Sequence, residues 1–250
     1  MTPVSALPND PTAFSRNRFV VGETVVAVDS VVGSPKLAVL SGMLSIAECD
    51  ALIAESRALM APSLVIDEHN VDNTVHDTRT SSGMHFVPGS SAVADAVQRK
   101  IMSVIGLPID RAEPLQVLHY GPGEEYVAHF DFFDAHDDDV ADAQPTTLSL
   151  YGQRVATMIC YLSAVESGGA TVFPEIGLEV RPLPGRAVYF TYVGADGALD
   201  PMSLHGGAPV DEGEKWIITQ WCRERPYRAS GTDMWAPPAS PSAAGSDTAG

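Results

Sequence analysis

Apolar and polar positions divide this chain into two regimes. From Ser45 to about Met60, Cys49, Leu52, Ile53 and Leu59 recur near helical spacing, and Ser45 with Glu48 three residues on makes a capping box. A second helix is predicted from about Ser91 to Ile105, stopped by Gly106 and Pro108. Strands are predicted at 24–28 and 36–40. Beyond Pro108 the period becomes alternating, and runs at 115–120, 126–132, 155–162, 170–173, 178–181, 187–191 and 215–223 read as strands between turn signals. Helices first and closely spaced strands later predict an α+β domain whose sheets make a sandwich or barrel. Residues 1–34 read as an irregular arm, 35–228 as the folded domain, and 229–250, rich in Ala, Ser, Gly and Pro, as a disordered tail.

Composition narrows the partners. With 15 Lys+Arg against 32 Asp+Glu, the formal net charge is −17. Such a surface repels phosphate backbones and anionic lipid, so no nucleic-acid or membrane partner is expected. At 45% hydrophobic residues, the 250-residue chain can bury a sizeable core. The 3 cysteines, Cys49, Cys160 and Cys222, are scattered among apolar residues, as expected of reduced thiols in a cytoplasmic protein. The N-terminus shows no signal-peptide pattern.

Candidate chemistry centres on 126–131, Tyr-Val-Ala-His-Phe-Asp. Read as a strand, it presents His129 and Asp131 on one face, because residues two apart share a face. An imidazole and a carboxylate so placed can hold adjacent corners of a metal ion. His205, followed by Gly206 and Gly207, is the strongest third ligand, although His69, His76, His85, His119 and His136 are also available. Two histidines and one carboxylate leave open positions, the pattern of the facial triad of non-haem Fe(II) oxygenases. Lys215 opens an otherwise apolar strand whose alternation sets Lys215, Ile217, Thr219, Trp221 and Arg223 on one face. Such a lysine is either a solvated strand end or the partner of a buried anion.

These features resemble the prolyl 4-hydroxylase branch of the 2-oxoglutarate and Fe(II)-dependent dioxygenases. The resemblance spans roughly residues 35–225 and rests on several motifs in order: Arg-Thr-Ser-Ser-Gly at 79–83, Leu-Gln-Val at 115–117 with Tyr120, the 126–131 stretch, Gly-Gly-Ala-Thr-Val-Phe-Pro at 168–174, and His205 with Lys215 and Trp216. It implies a double-stranded β-helix, or jelly-roll, core with supporting helices on one side. It implies Fe(II) held by His129, Asp131 and His205, and 2-oxoglutarate chelated to the iron with Lys215 on its far carboxylate and Tyr120 and Thr171 as hydrogen-bond partners. It places Tyr126, Arg154, Trp221 and Arg223 around the substrate, a proline-containing peptide or protein. The implied reaction consumes O2 and 2-oxoglutarate, releases CO2 and succinate, and hydroxylates a C–H bond, with ascorbate as reductant. Asp131 favours hydroxylation, since related halogenases lack that carboxylate.

Other readings stay open at this point. A free amino acid or other small molecule could be the substrate on the same scaffold. Two histidines and a carboxylate also suit zinc, although a zinc protein leaves Lys215 unexplained. Two long polar segments, about 67–82 and 132–153, flank the site strands as potential lids, and the aspartates at 134–142 read as a solvated run or a second cation site.

Overall fold

The fold is given by a computed structural model that describes residues 7–14, 17–62, 80–133, 147–194 and 196–227. The expected tail, the aspartates at 134–142 and most of the polar segment at 67–82 lie outside those residues. Strands β1 (Arg18–Val21), β2 (Thr24–Gly33) and β3 (Lys36–Ser41) form an antiparallel meander. Helix α1 (Ile46–Arg57) is followed by β4 (Ala61–Pro62), β5 (Ser82–Phe86) and helix α2 (Ala92–Ile105). Strands β6 (Leu115–Tyr120) and β7 (Tyr126–His129) precede a short helix α3 (Thr147–Tyr151). Next come β8 (Arg154–Tyr161), β9 (Ser167–Gly168), β10 (Thr171–Phe173), β11 (Leu178–Val180) and β12 (Ala187–Thr191). Strands β13 (His205–Gly207), β14 (Val210–Glu212) and β15 (Lys215–Arg223) follow.

Among the described residues, nine strands form a large sheet in the order β1-β2-β3-β12-β8-β15-β6-β5-β4, and four form a small one, β11-β10-β13-β7. Period-two alternation sorts the side chains of the large sheet into two cores. Ala38, Leu40, Met158, Cys160 and Ile218 face α1 and α2, where they meet Leu52, Val97 and Ile101. Leu37, Val39, Ile159, Tyr161 and Ile217 face inward, against Phe173 and Val180 of the small sheet. Each such buried aliphatic chain contributes roughly 1.5–3 kcal/mol. The three cysteines are buried free thiols.

Local signals fix the helices where the pattern predicts them. The Ser45 hydroxyl accepts from the Glu48 amide, and Glu48 accepts in return from the Ser45 amide. Lys100 of α2 pairs with Glu48 at 2.6 Å and ties the two helices together. Gly106 ends α2 in the left-handed region, φ 76°, where a side chain would be strained. The segment ahead of Pro35, expected to carry one strand, contributes two, because β2 pairs along β3 and so extends the large sheet. The strand expected at 126–132 ends at His129, so Asp131 lies beyond it.

Candidate active site

His129 and His205 occupy paired positions on the neighbouring strands β7 and β13. That approach depends on Gly206: a Cβ there would lie 2.8 Å from the Tyr126 carbonyl oxygen and 3.0 Å from the Ala128 nitrogen. Asp131, only 5% exposed, sits between the imidazoles. Its Oδ1 is 3.6 Å from His129 Nε2, and its Oδ2 is 3.6 Å from His205 Nε2. The donor atoms of the three residues lie within 4.8 Å of one another. Each imidazole donates its Nδ1 proton to the carbonyl two residues upstream, His129 to Val127 and His205 to Ser203, both at 3.0 Å. A carbonyl only accepts, so the neutral form of either ring carries its proton on Nδ1 and leaves the Nε2 lone pair on the side of Asp131. Tyr126 stacks on the His129 ring with centroids 3.8 Å apart.

These residues line one cavity, partly open to solvent, with Tyr120, Thr171, Lys215, Thr219 and Trp221. Lys215 is 2% exposed. Its Nζ has Gly207 beside it, close enough that a Cβ there would come within 3.4 Å. Among the described residues no carboxylate pairs with this ammonium, and burial alone pulls its pKa down to about 8.

Arg154 and Arg223 do not line the cavity. Instead they share the buried Glu113. Arg154 is bidentate on it, Nε at 2.8 Å and Nη2 at 3.0 Å, and Arg223 Nε lies 2.6 Å from Oε1. Arg223 is 1% exposed and also donates to the Gly152 carbonyl. Alternation from Lys215 places it on the cavity face, but it stands at the far end of β15, where its ion pair with Glu113 holds it beyond the cavity lining. Arg154 packs its guanidinium over the Trp221 ring at 4.0 Å and donates to the Asp131 carbonyl at 3.3 Å. Among the described residues, the buried indole N–H of Trp221 has no hydrogen-bond partner.

The sequence of residues 115–223 matches the 2OG-Fe(II) oxygenase superfamily. Prolyl 4-hydroxylase 2 of Arabidopsis thaliana is 36% identical over 215 residues, covering 78% of this chain and 69% of its own. Prolyl 4-hydroxylase 1 of the same plant is 37% identical over 207 residues, covering 77% and 70%. The viral collagen prolyl hydroxylase of Paramecium Bursaria Chlorella virus-1, solved as its 2OG complex, is 30% identical with a TM-score of 0.58, covering 75% of this chain and 95% of that one. The chain belongs to the prolyl 4-hydroxylase family of the 2OG-Fe(II) oxygenases.

Members of this family are Fe(II)- and 2-oxoglutarate-dependent dioxygenases on a double-stranded β-helix, and the residues here fit both groups. Burial alone would raise the Asp131 carboxyl, yet His205, His129 and Arg154 outweigh it and hold the carboxyl far below its usual range. Burial, helped by His129, brings His205 down to about 4 against the pull of Asp131. The site therefore offers an ionised carboxylate and a neutral imidazole near neutral pH, the donor forms a divalent iron takes. The cavity also carries the unpaired ammonium that a dicarboxylate needs. As an oxygenase of this family the protein suits iron better than the zinc reading.

Sequence reasoning misses four residues around the site. Glu113 precedes a proline ahead of β6 and looks like a solvated loop acid. Thr157 and Tyr192 are ordinary core residues by type. Gln153 binds both backbone groups of Phe133, at 2.8 Å each, and so fixes the chain just after Asp131. None has a sequence signal beyond its place beside β6, β8 or β12.

Proposed function

We propose that this oxygenase hydroxylates a prolyl residue within a peptide or protein, with Fe(II) held by His129, Asp131 and His205 and 2-oxoglutarate anchored by Lys215. One observation carries the site assignment: a buried ammonium without an anion shares a cavity with a two-histidine, one-carboxylate cluster. When bound, the metal and 2-oxoglutarate supply O2 activation, with loss of CO2 and formation of succinate. The chain's own residues do the rest by placement. Lys215 neutralises the distal carboxylate, and the hydroxyls of Tyr120 and Thr171, both lining the cavity, are within the same pocket to steady it. Asp131 and the two imidazoles hold their donor atoms converged before any ligand arrives, which avoids reorganisation. Tyr126 fixes the His129 ring from one side.

The prolyl substrate is supported by the relatives, two named prolyl 4-hydroxylases and one collagen prolyl hydroxylase. It is supported physically by the Trp221 ring on the cavity wall, an apolar face for a pyrrolidine. Arg154, under that ring, acts through it and not by direct contact. Ascorbate serves as the reductant in this reading.

Mass spectrometry of proline-containing peptides and of free amino acids, each with Fe(II), 2-oxoglutarate and ascorbate, tests the proposal. The expected result is gain of one oxygen on a peptidyl proline. Trp221→Ala is expected to raise the peptide KM while leaving peptide-independent 2-oxoglutarate decarboxylation in place. Turnover of free proline or another amino acid, with none of any peptide, overturns the peptide reading in favour of a small-molecule hydroxylase.

A further inference from the structure

Asp131 differs from the two histidines in how it is held. His129 and His205 stand on strands of the small sheet, and each ring is held by a carbonyl two residues upstream, Val127 on β7 and Ser203 just ahead of β13. Asp131 lies past the end of β7 and has no strand of its own. Its carboxylate is held from the large sheet. Thr157, in the middle of β8, donates its hydroxyl proton to Asp131 Oδ2 at 2.7 Å. A hydroxyl has one proton. With that proton committed to an acceptor-only carboxylate, the 3.3 Å contact between Thr157 Oγ1 and the Tyr192 hydroxyl runs in one direction, from Tyr192 to Thr157.

The chain Tyr192 to Thr157 to Asp131 is closed to water: Thr157 is 0% and Tyr192 1% exposed. It is also rigid. Thr157 is paired on both sides, with Phe190 of β12 and with Trp221 of β15. A β-branched side chain in a central strand has few rotamers to choose from. Buried hydrogen bonds of this kind gain strength from the low local dielectric.

We propose that Thr157 is a positioning residue for the metal centre: its hydroxyl, oriented by Tyr192, occupies Asp131 Oδ2 and presents Oδ1 as the single carboxylate donor. The inference rests on the triad being the metal site. Residues that orient a metal ligand in this way change metal affinity by about 10- to 100-fold when removed.

The test is manganese(II) affinity of the full chain, by electron paramagnetic resonance without 2-oxoglutarate or substrate, alongside the thermal midpoint in chelator. Thr157→Val keeps the shape and removes the hydroxyl, so manganese(II) binding is expected to weaken about 10- to 100-fold. Thr157→Ser restores the hydroxyl and is expected to bind within about threefold of wild type. Tyr192→Phe, which removes the outer donor, is expected to weaken binding by a smaller factor. If Thr157→Val does not fold in chelator, Thr157→Ala takes its place in the same comparison. Wild-type affinity in the valine or alanine variant overturns the proposal, as does a serine variant that falls as far as valine, because packing and not the hydroxyl is then at work. A wild-type protein that binds no manganese(II) overturns the metal site itself and this inference with it.

Discussion

Lys215 and Tyr120 face each other from paired positions on β15 and β6, the ammonium 5.1 Å from the phenol ring centroid. The ring offers the ammonium a weak electrostatic partner but no counter-charge. Removing the lysine leaves a bound dicarboxylate unpaired at a largely buried site, at a cost of roughly 2–5 kcal/mol. Lys215→Ala is therefore expected to raise the apparent KM for 2-oxoglutarate by about ten-fold or more. Succinate formation against 2-oxoglutarate concentration checks this, and an unchanged KM moves the anchor to another cation such as Arg181 or Arg186.

The same ammonium gives a pH signature. In the free protein its pKa is about 8. Below that pH the group is charged and ready for a carboxylate, and above it each pH unit removes about tenfold of the charged form. The Kd for a non-reactive 2-oxoglutarate analogue is expected to be flat up to about pH 8 and to rise beyond it. Calorimetry across that range reads the break, which is expected to vanish in Lys215→Arg.

Stability moves the other way. The unfolded chain keeps this proton up to about 10.5 and the folded chain only to about 8. The penalty of burying the charge is therefore fully present below 8, shrinks as pH rises, and is gone above 10.5. Lys215→Met is expected to raise the thermal midpoint of the ligand-free protein at pH 7 and to abolish the midpoint increase that a dicarboxylate gives the wild type. A lower midpoint for the methionine variant would falsify the claim that the ammonium is stored at a cost.

Each metal-ligand variant is expected to lose turnover as well as metal. His129→Ala, Asp131→Ala and His205→Ala remove one of three donors, and a two-donor site holds a divalent ion poorly. Cobalt(II) titration and succinate release are expected to fail together in all three. Wild-type succinate release by any one of them removes that residue from the ligand set.

Glu113 carries a structural prediction. Burial opposes its charge, but Arg154 and Arg223 outweigh that and keep the carboxyl below its usual range. Glu113→Gln leaves two arginines close together with too little negative charge, and breaking such a buried group costs roughly 3–5 kcal/mol. Urea unfolding reads the loss. Glu113→Asp is expected to recover part of it.

The long, strongly patterned elements were legible in the sequence: α1 and α2 from their caps, β6 and β15 from alternation. So was the meeting of His129, Asp131 and His205, because His205 is followed by Gly206, which lets β13 approach β7. Short strands such as β9 and β14, two and three residues each, carry too few positions for a period to show. Arg223 lies outside the cavity lining because alternation gives a residue's face but neither its distance along β15 from the cavity nor its buried partner Glu113. Asp131 was rightly paired with His129 for an incomplete reason: the strand ends between them, and Thr157 brings the carboxylate into line from the other sheet. Glu113, Gln153, Thr157 and Tyr192 act only through neighbours distant in sequence, and that information exists only once the sheets are assembled.

Two of the three proposed metal donors stand on the small sheet, and the third is tethered to the large one. An ion gripped by all three is a rivet between two layers that otherwise meet through side-chain packing. The small sheet has most to gain, since its strands are only three or four residues long. Amide hydrogens of β7, β10 and β13 should accordingly exchange by local opening in the apo protein and slow sharply when manganese(II) is added, while those in the centre of the large sheet hardly change. Iron supply would then govern how long the folded chain survives proteolysis, and not merely how fast it turns over.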